Sequence, residues 1–133
     1  MTMGYEYEEK KKYAFKGGGI APCPYAAHRI CIDLIENGKT VLDIGCTTGH
    51  LSAELRKKGC KVIGLEIDPE MADITKANCD EVIYGNAEDI EIPYRNYFDV
   101  ILYADVLEHI RNPLEVLTRF RDSLKKDGYI VYH

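Results

Sequence analysis

What this sequence lacks narrows its function first. No apolar run approaches roughly 18 residues, so no membrane-spanning helix is expected. No long basic run is present either: Lys10-Lys11-Lys12 is short and follows Glu6, Glu8 and Glu9. With 17 Lys and Arg against 22 Asp and Glu, the formal net charge is −5. Binding to nucleic acid or to an anionic membrane is therefore not expected. The first residues carry no basic-then-apolar pattern, so no secretory signal is expected. Five cysteines (Cys23, Cys31, Cys46, Cys60 and Cys79) are scattered singly, with no C-x-x-C pair. That odd count and spacing argue against a disulfide framework and a zinc ribbon. Reduced thiols and a cytoplasmic location are the expectation.

Also missing is the dinucleotide fingerprint G-x-G-x-x-G. Started at Gly45, it needs glycine at positions 47 and 50, where the chain has Thr47 and His50. A nucleotide-binding dehydrogenase domain is thereby disfavoured.

What is present suits one globular domain with its own core. The chain has 133 residues, 46% of them apolar and 29% charged. Residues 1–24 are polar and tyrosine-rich and contain Gly17-Gly18-Gly19. They are expected to form a mobile arm that closes over a bound ligand, with Tyr13 and Phe15 as contacts. Residues 25–133 are expected to form the domain itself.

Apolar spacing predicts a helix over 25–36, ended by Asn37-Gly38. Residues 40–44 read as a strand buried on both faces, as in a parallel sheet covered by helices. A helix over 48–58 and a strand over 61–67 follow. Asp68-Pro69 supplies a cap and a proline for the next helix. Short strands are expected at 81–84 and 97–103, separated by a loop containing Pro93. Asn112-Pro113-Leu114-Glu115 opens a helix expected to reach Lys126, and 129–132 read as a last strand. Strands alternating with helices imply an α/β fold: a doubly wound, mostly parallel sheet with helices on both faces. Sites in such sheets lie at the carboxyl ends of the strands.

The strand–turn–helix at Val41-Leu-Asp-Ile-Gly-Cys-Thr-Thr-Gly-His50 is the most informative stretch. It keeps Asp43, Gly45 and Gly49 and is followed by Glu66 at the next strand end. This resembles the first motif of class I S-adenosylmethionine-dependent methyltransferases, with Thr47 in place of that family's middle glycine. Val62 to Glu70 resembles the second motif, and Gly85 to Ile90 with Pro93 the third. Phe98 to Leu102 with Leu107-Glu108-His109 resembles the fourth, and Leu124 to Val131 the turn and strand of the fifth. Five motifs in order, over about residues 40–132, carry the resemblance. It implies a Rossmann-like methyltransferase fold, S-adenosylmethionine as cofactor and a small-molecule methyl acceptor. It also implies two further strands that the five visible here do not include, with the fifth left as an edge.

The resemblance assigns residues. Asp43, Gly45, Cys46 and Gly49 belong to the cofactor turn. Glu66 is expected on the ribose hydroxyls and Ile67 on one adenine face. Asn86 is expected near the adenine amino group, Ala87 offers a backbone N–H, and Tyr103 ends the fourth strand beside the cofactor. Cys46 is expected to be a small packing residue.

Asp105, Glu108 and His109 share one face if a helix forms there. His109 is the candidate catalytic residue. No second set of metal-binding side chains accompanies these three, so no metal site is assigned. His28 and His50 read as surface or capping residues. A monomer or weak dimer is expected. A cofactor-binding or regulatory domain without catalysis is the alternative reading.

Overall fold

The computed structural model describes residues 23–47 and 49–133, with side chains from residue 27 onward. The expectations for the arm over 1–22, including Tyr13 and Phe15, and for Thr48 lie outside the described residues.

Among the described residues the α-helices and strands follow one another as α1 (Cys23–Leu34), β1 (Thr40–Ile44), α2 (His50–Lys57), β2 (Lys61–Glu66), α3 (Pro69–Thr75), β3 (Glu81–Tyr84), β4 (Phe98–Tyr103), α4 (Pro113–Arg121) and β5 (Leu124–Tyr132). The five strands form one sheet in the order β3-β2-β1-β4-β5, and every neighbouring pair is parallel. The order reverses between β1 and β4, which places a crevice at their carboxyl ends.

Successive strand residues face opposite sides, and the sequence fills both. Val41, Val62, Val100 and Leu102 pack on one face with Ile32 and Ile35 of the α1 segment and Leu51 and Leu55 of α2. Leu42, Ile63, Ile101 and Tyr103 pack on the other with Val116 and Phe120 of α4. The doubly covered sheet explains the continuous apolar strands. Among the described residues, no helix is long and apolar enough to cross a membrane.

Local caps follow the sequence. The Asp68 carboxylate accepts from the N–H groups of Glu70 at 2.9 Å and Met71 at 3.3 Å, opening α3 at Pro69. The Asn112 side chain accepts from the Glu115 N–H at 3.2 Å and opens α4.

Several ends differ from expectation. Helix α1 begins at Cys23, so Cys23 and Pro24 lie in it rather than in the arm expected over 1–24. Helix α1 stops at Leu34, where the Lys58 ammonium donates to the carbonyls of Ile32, at 2.6 Å, and Ile35. Helix α4 stops at Arg121 rather than Lys126. The carbonyls of Asp122 and Ser123 instead accept from Asn96, Tyr97 and Phe98 at the entry to β4. Leu124 thus leaves the helix and pairs with Phe98, and the register shifts once before Val100 meets Tyr129. Strands β3 and β5 are the sheet edges among the described residues, with Tyr132 of β5 exposed.

Candidate functional site

The site is built where β1, β2, β3 and β4 end. After Ile44 the chain turns sharply, with Gly45 at φ +69° and Gly49 at φ +84°. Both glycines are required by space as well as by φ. A Cβ on Gly45 would lie 2.7 Å from Val106 Cγ2, and one on Gly49 would lie 2.0 Å from Thr75 Oγ1. The Gly45 N–H donates to the Leu65 carbonyl at 2.7 Å, tying the turn to β2. Thr47 also takes left-handed backbone, φ +48°, at the position where the resembled family has glycine. Its hydroxyl donates to the Cys46 carbonyl at 2.8 Å.

Glu66 ends β2 and is only 5% exposed. A buried carboxylate needs donors. Oε1 accepts from the Thr47 N–H at 2.7 Å and Oε2 from the Asp68 N–H at 3.0 Å. One side chain therefore clamps the glycine turn and the start of α3. Each oxygen keeps acceptor capacity beyond the single backbone bond it makes.

A cleft of about 300 Å³ opens over these strand ends. Glu66, Ile67, Asn86 and Ala87 line it over β2 and β3, and Gly45, Asp105, Val106 and His109 over β1 and β4. Ile67 is 57% exposed, so its apolar surface faces the opening rather than the core. The Asn86 side-chain oxygen accepts from the Glu88 N–H at 2.9 Å, shaping its own loop. A larger groove of about 590 Å³ runs between α4 and residues 90–95. It gathers none of the residues expected at the site.

Other expected residues stand behind the cleft. Asp43 is 1% exposed and accepts from the Ser52 hydroxyl at 2.7 Å, joining β1 to α2. Burial pushes its carboxyl up to about 7, against the lowering effect of the Ser52 hydrogen bond. Cys46 is buried, and its sulfur, with that of Cys79, fills the space left above Gly64. The hydrogen bond to Cys79 and burial push the Cys46 thiol above its ordinary range, so it packs rather than reacts. Gly49 abuts Thr75 instead of lining the opening. Tyr103, expected beside the cofactor, does not line the cleft. Its ring is fully buried against the α4 face, and its hydroxyl has no partner among the described residues. Burial raises that hydroxyl's pKa.

Asp105, Glu108 and His109 do not converge. Leu107–His109 is a single 3-10 turn, too short to stack them on one helical face. Glu108 and His109 lie 3.8 Å apart, while Asp105 turns away. Asp105 instead meets His28 of α1 at 2.8 Å and His133 at 2.8 Å. His28 in turn lies 3.2 Å from His50. Sequence spacing missed this group because its members come from α1, α2, the β4 end and the β5 end. The one local signal was a histidine in three of those segments, with Asp105 supplied by the β4 end.

Comparison with known proteins identifies the family. A family model described as a methyltransferase domain matches residues 24–133. The chain belongs to this family. It is 33% identical over 101 residues to a ubiquinone biosynthesis O-methyltransferase of Shewanella pealeana, a match covering 71% of this chain and 43% of that protein. The mitochondrial ubiquinone biosynthesis O-methyltransferase of Schizosaccharomyces pombe is 30% identical over 104 residues, covering 71% and 37%. The chain thus spans less than half the length of these curated relatives. A TehB-like S-adenosylmethionine-dependent methyltransferase of Corynebacterium glutamicum superposes with TM-score 0.70 at 25% identity, covering 87% of this chain and 63% of that one. Coclaurine N-methyltransferase, solved with N-methylheliamine and S-adenosylhomocysteine, superposes at 0.75 over 90% of this chain and 38% of its own, at 20% identity, and shares the fold.

Proposed function

We propose that this chain binds S-adenosylmethionine in the cleft above Glu66 and transfers its methyl group to a small-molecule acceptor. The observation that carries this reading is the placement of Glu66. It is a nearly buried carboxylate at a strand end, already held by two backbone donors, with lone pairs left for two adjacent hydroxyls. Ribose supplies such a pair.

The surrounding residues fit the rest of the cofactor. Ile67 offers an exposed apolar face for a flat ring, and Ala87 lines the same part of the cleft. Asn86 brings a side-chain amide to the ring edge. At Gly45 the cleft is walled by backbone, because Val106 leaves no room for a side chain. That bare backbone suits close approach by the methionine portion.

The cofactor supplies a methyl group on a good sulfonium leaving group. The protein's task is to hold acceptor and methyl in line and to exclude water. Membership in the methyltransferase-domain family and the O-methyltransferase names of the sequence relatives support this reading.

Incubation with methyl-labelled S-adenosylmethionine and a panel of small hydroxyl and amine acceptors tests it. Labelled product is expected with at least one acceptor. Cofactor binding without transfer to any of them contradicts the catalytic part and leaves a binding domain.

A further inference from the structure

The peptide unit between Cys46 and Thr47 is held from both sides. Its carbonyl accepts from the Thr47 hydroxyl at 2.8 Å and from the Gly49 N–H at 2.8 Å. Its N–H donates to Glu66 Oε1 at 2.7 Å. The Thr47 hydroxyl thus secures one end of the unit whose other end meets the carboxylate at the cleft.

That arrangement runs against the preference of the residue itself. Thr47 sits at φ +48°, where a β-branched side chain crowds its own backbone. Rotating the 46–47 peptide unit by half a turn, with the flanking Cα atoms left in place, would carry φ of Thr47 to the negative side, where threonine is at ease. The same rotation would break all three hydrogen bonds and turn a carbonyl oxygen towards Glu66. Two oxygens with no hydrogen between them repel, so the carboxylate would leave its place at the strand end. A strained residue persists only where its surroundings hold it, and such residues gather at binding sites. Thr47 lines the cleft together with Gly45 and Glu66.

We propose that Thr47 is a positioning residue of the cofactor site: its hydroxyl latches the 46–47 peptide in the orientation that holds Glu66 ready for the ribose hydroxyls; this rests on the methyl-transfer reading above. Glycine at this position tolerates left-handed backbone without a latch. Threonine does not, and it brings the hydroxyl that closes one. With the unit fixed, Glu66 Oε1 keeps its remaining acceptor capacity for the ligand, and little binding energy goes into ordering the turn.

The test uses the whole chain and two readouts. Amide exchange of the ligand-free protein, followed by NMR, reports the latch. The Thr47 amide is expected to be protected in wild type and in Thr47→Ser. Its counterpart in Thr47→Val, which loses the hydroxyl, should exchange about tenfold faster. Where Thr47→Val does not fold by circular dichroism, Thr47→Ala removes the same hydroxyl. Calorimetry then compares 5′-methylthioadenosine with its 2′,3′-dideoxy counterpart, which lacks the ribose hydroxyls. Thr47→Val is expected to bind methylthioadenosine about tenfold more weakly than wild type does, and the dideoxy nucleoside equally well. Thr47→Ser should bind both as wild type does. Unchanged exchange in Thr47→Val, or an equal loss for both nucleosides, overturns the proposal. A Thr47→Ser protein that loses as much as Thr47→Val overturns it as well. Absence of methylthioadenosine and S-adenosylhomocysteine binding to wild type contradicts the methyl-transfer reading instead, and the exchange rates still decide the latch.

Discussion

The Glu66 carboxylate accepts the backbone N–H of Thr47 at 2.7 Å, joining the end of β2 to a turn 19 residues earlier in the chain. Its second oxygen holds Asp68 at 3.0 Å. A single acid therefore shapes the cleft and lines it. Glu66→Ala is expected to weaken S-adenosylhomocysteine binding by about 1.5–3 kcal/mol, the range for hydrogen bonds to a charged group. The loss of both backbone contacts should also lower folding stability by about 1–3 kcal/mol. Calorimetry and urea denaturation on the same preparation measure the two. Unchanged affinity in a folded variant removes Glu66 from the site.

The three left-handed positions of the turn should respond differently. Gly45→Ala and Gly49→Ala each add a clash, with Val106 and Thr75 respectively, to an unfavourable φ. Each is expected to cost about 2 kcal/mol or more. Thr47 already occupies left-handed backbone, so Thr47→Gly relieves strain while adding freedom to the unfolded chain. It should stay within about 1 kcal/mol of wild type. Denaturation midpoints decide, and a Gly45→Ala protein as stable as wild type contradicts this account of the turn.

Burial of Asp43 links stability to pH. The unfolded carboxyl loses its proton near pH 4, whereas the buried one keeps it until about 7. Between those values the folded state binds more protons, so this residue makes stability fall as pH rises. Asp105, held down at about 2 in the folded state, makes stability rise with pH until its unfolded carboxyl is fully ionised near pH 5, and it does so equally in wild type and in an Asp43 variant. Burial, with a smaller contribution from His28, lowers the His50 pKa, which also makes stability rise with pH, near pH 6. The difference between wild type and Asp43→Asn is therefore the quantity to follow. Relative to wild type, the variant should gain stability steadily from pH 4 to 7. A constant difference rules out a protonated Asp43.

The buried Tyr103 hydroxyl lacks a partner, so removing it should help. Tyr103→Phe is expected to raise stability by about 1 kcal/mol and to leave S-adenosylhomocysteine affinity unchanged. Weaker ligand binding in the variant returns Tyr103 to the cofactor site.

The strands, the two proline-started helices and the glycine turn were legible because each is specified locally. Val41, Leu42 and Ile44 put apolar side chains on both faces of β1, and Asp68-Pro69 and Asn112-Pro113 carry their caps in sequence. The end of α4 was not legible. Its termination depends on the Asp122 and Ser123 carbonyls pairing with β4, a contact made across more than 20 residues. Tyr103 misled for a related reason. Its place at a strand end suggested the cleft, but strand alternation turns its side chain into the α4 core. The Asp105 cluster was hidden because its residues are gathered only when α1, α2, β4 and β5 come together.

Calorimetric titration of the whole chain with S-adenosylhomocysteine, S-adenosylmethionine and NAD tests the central claim most directly. The cleft above Glu66 predicts saturable heat with both S-adenosyl ligands, near one per chain, and none with NAD. Heat with NAD alone, or with none of the three, contradicts it.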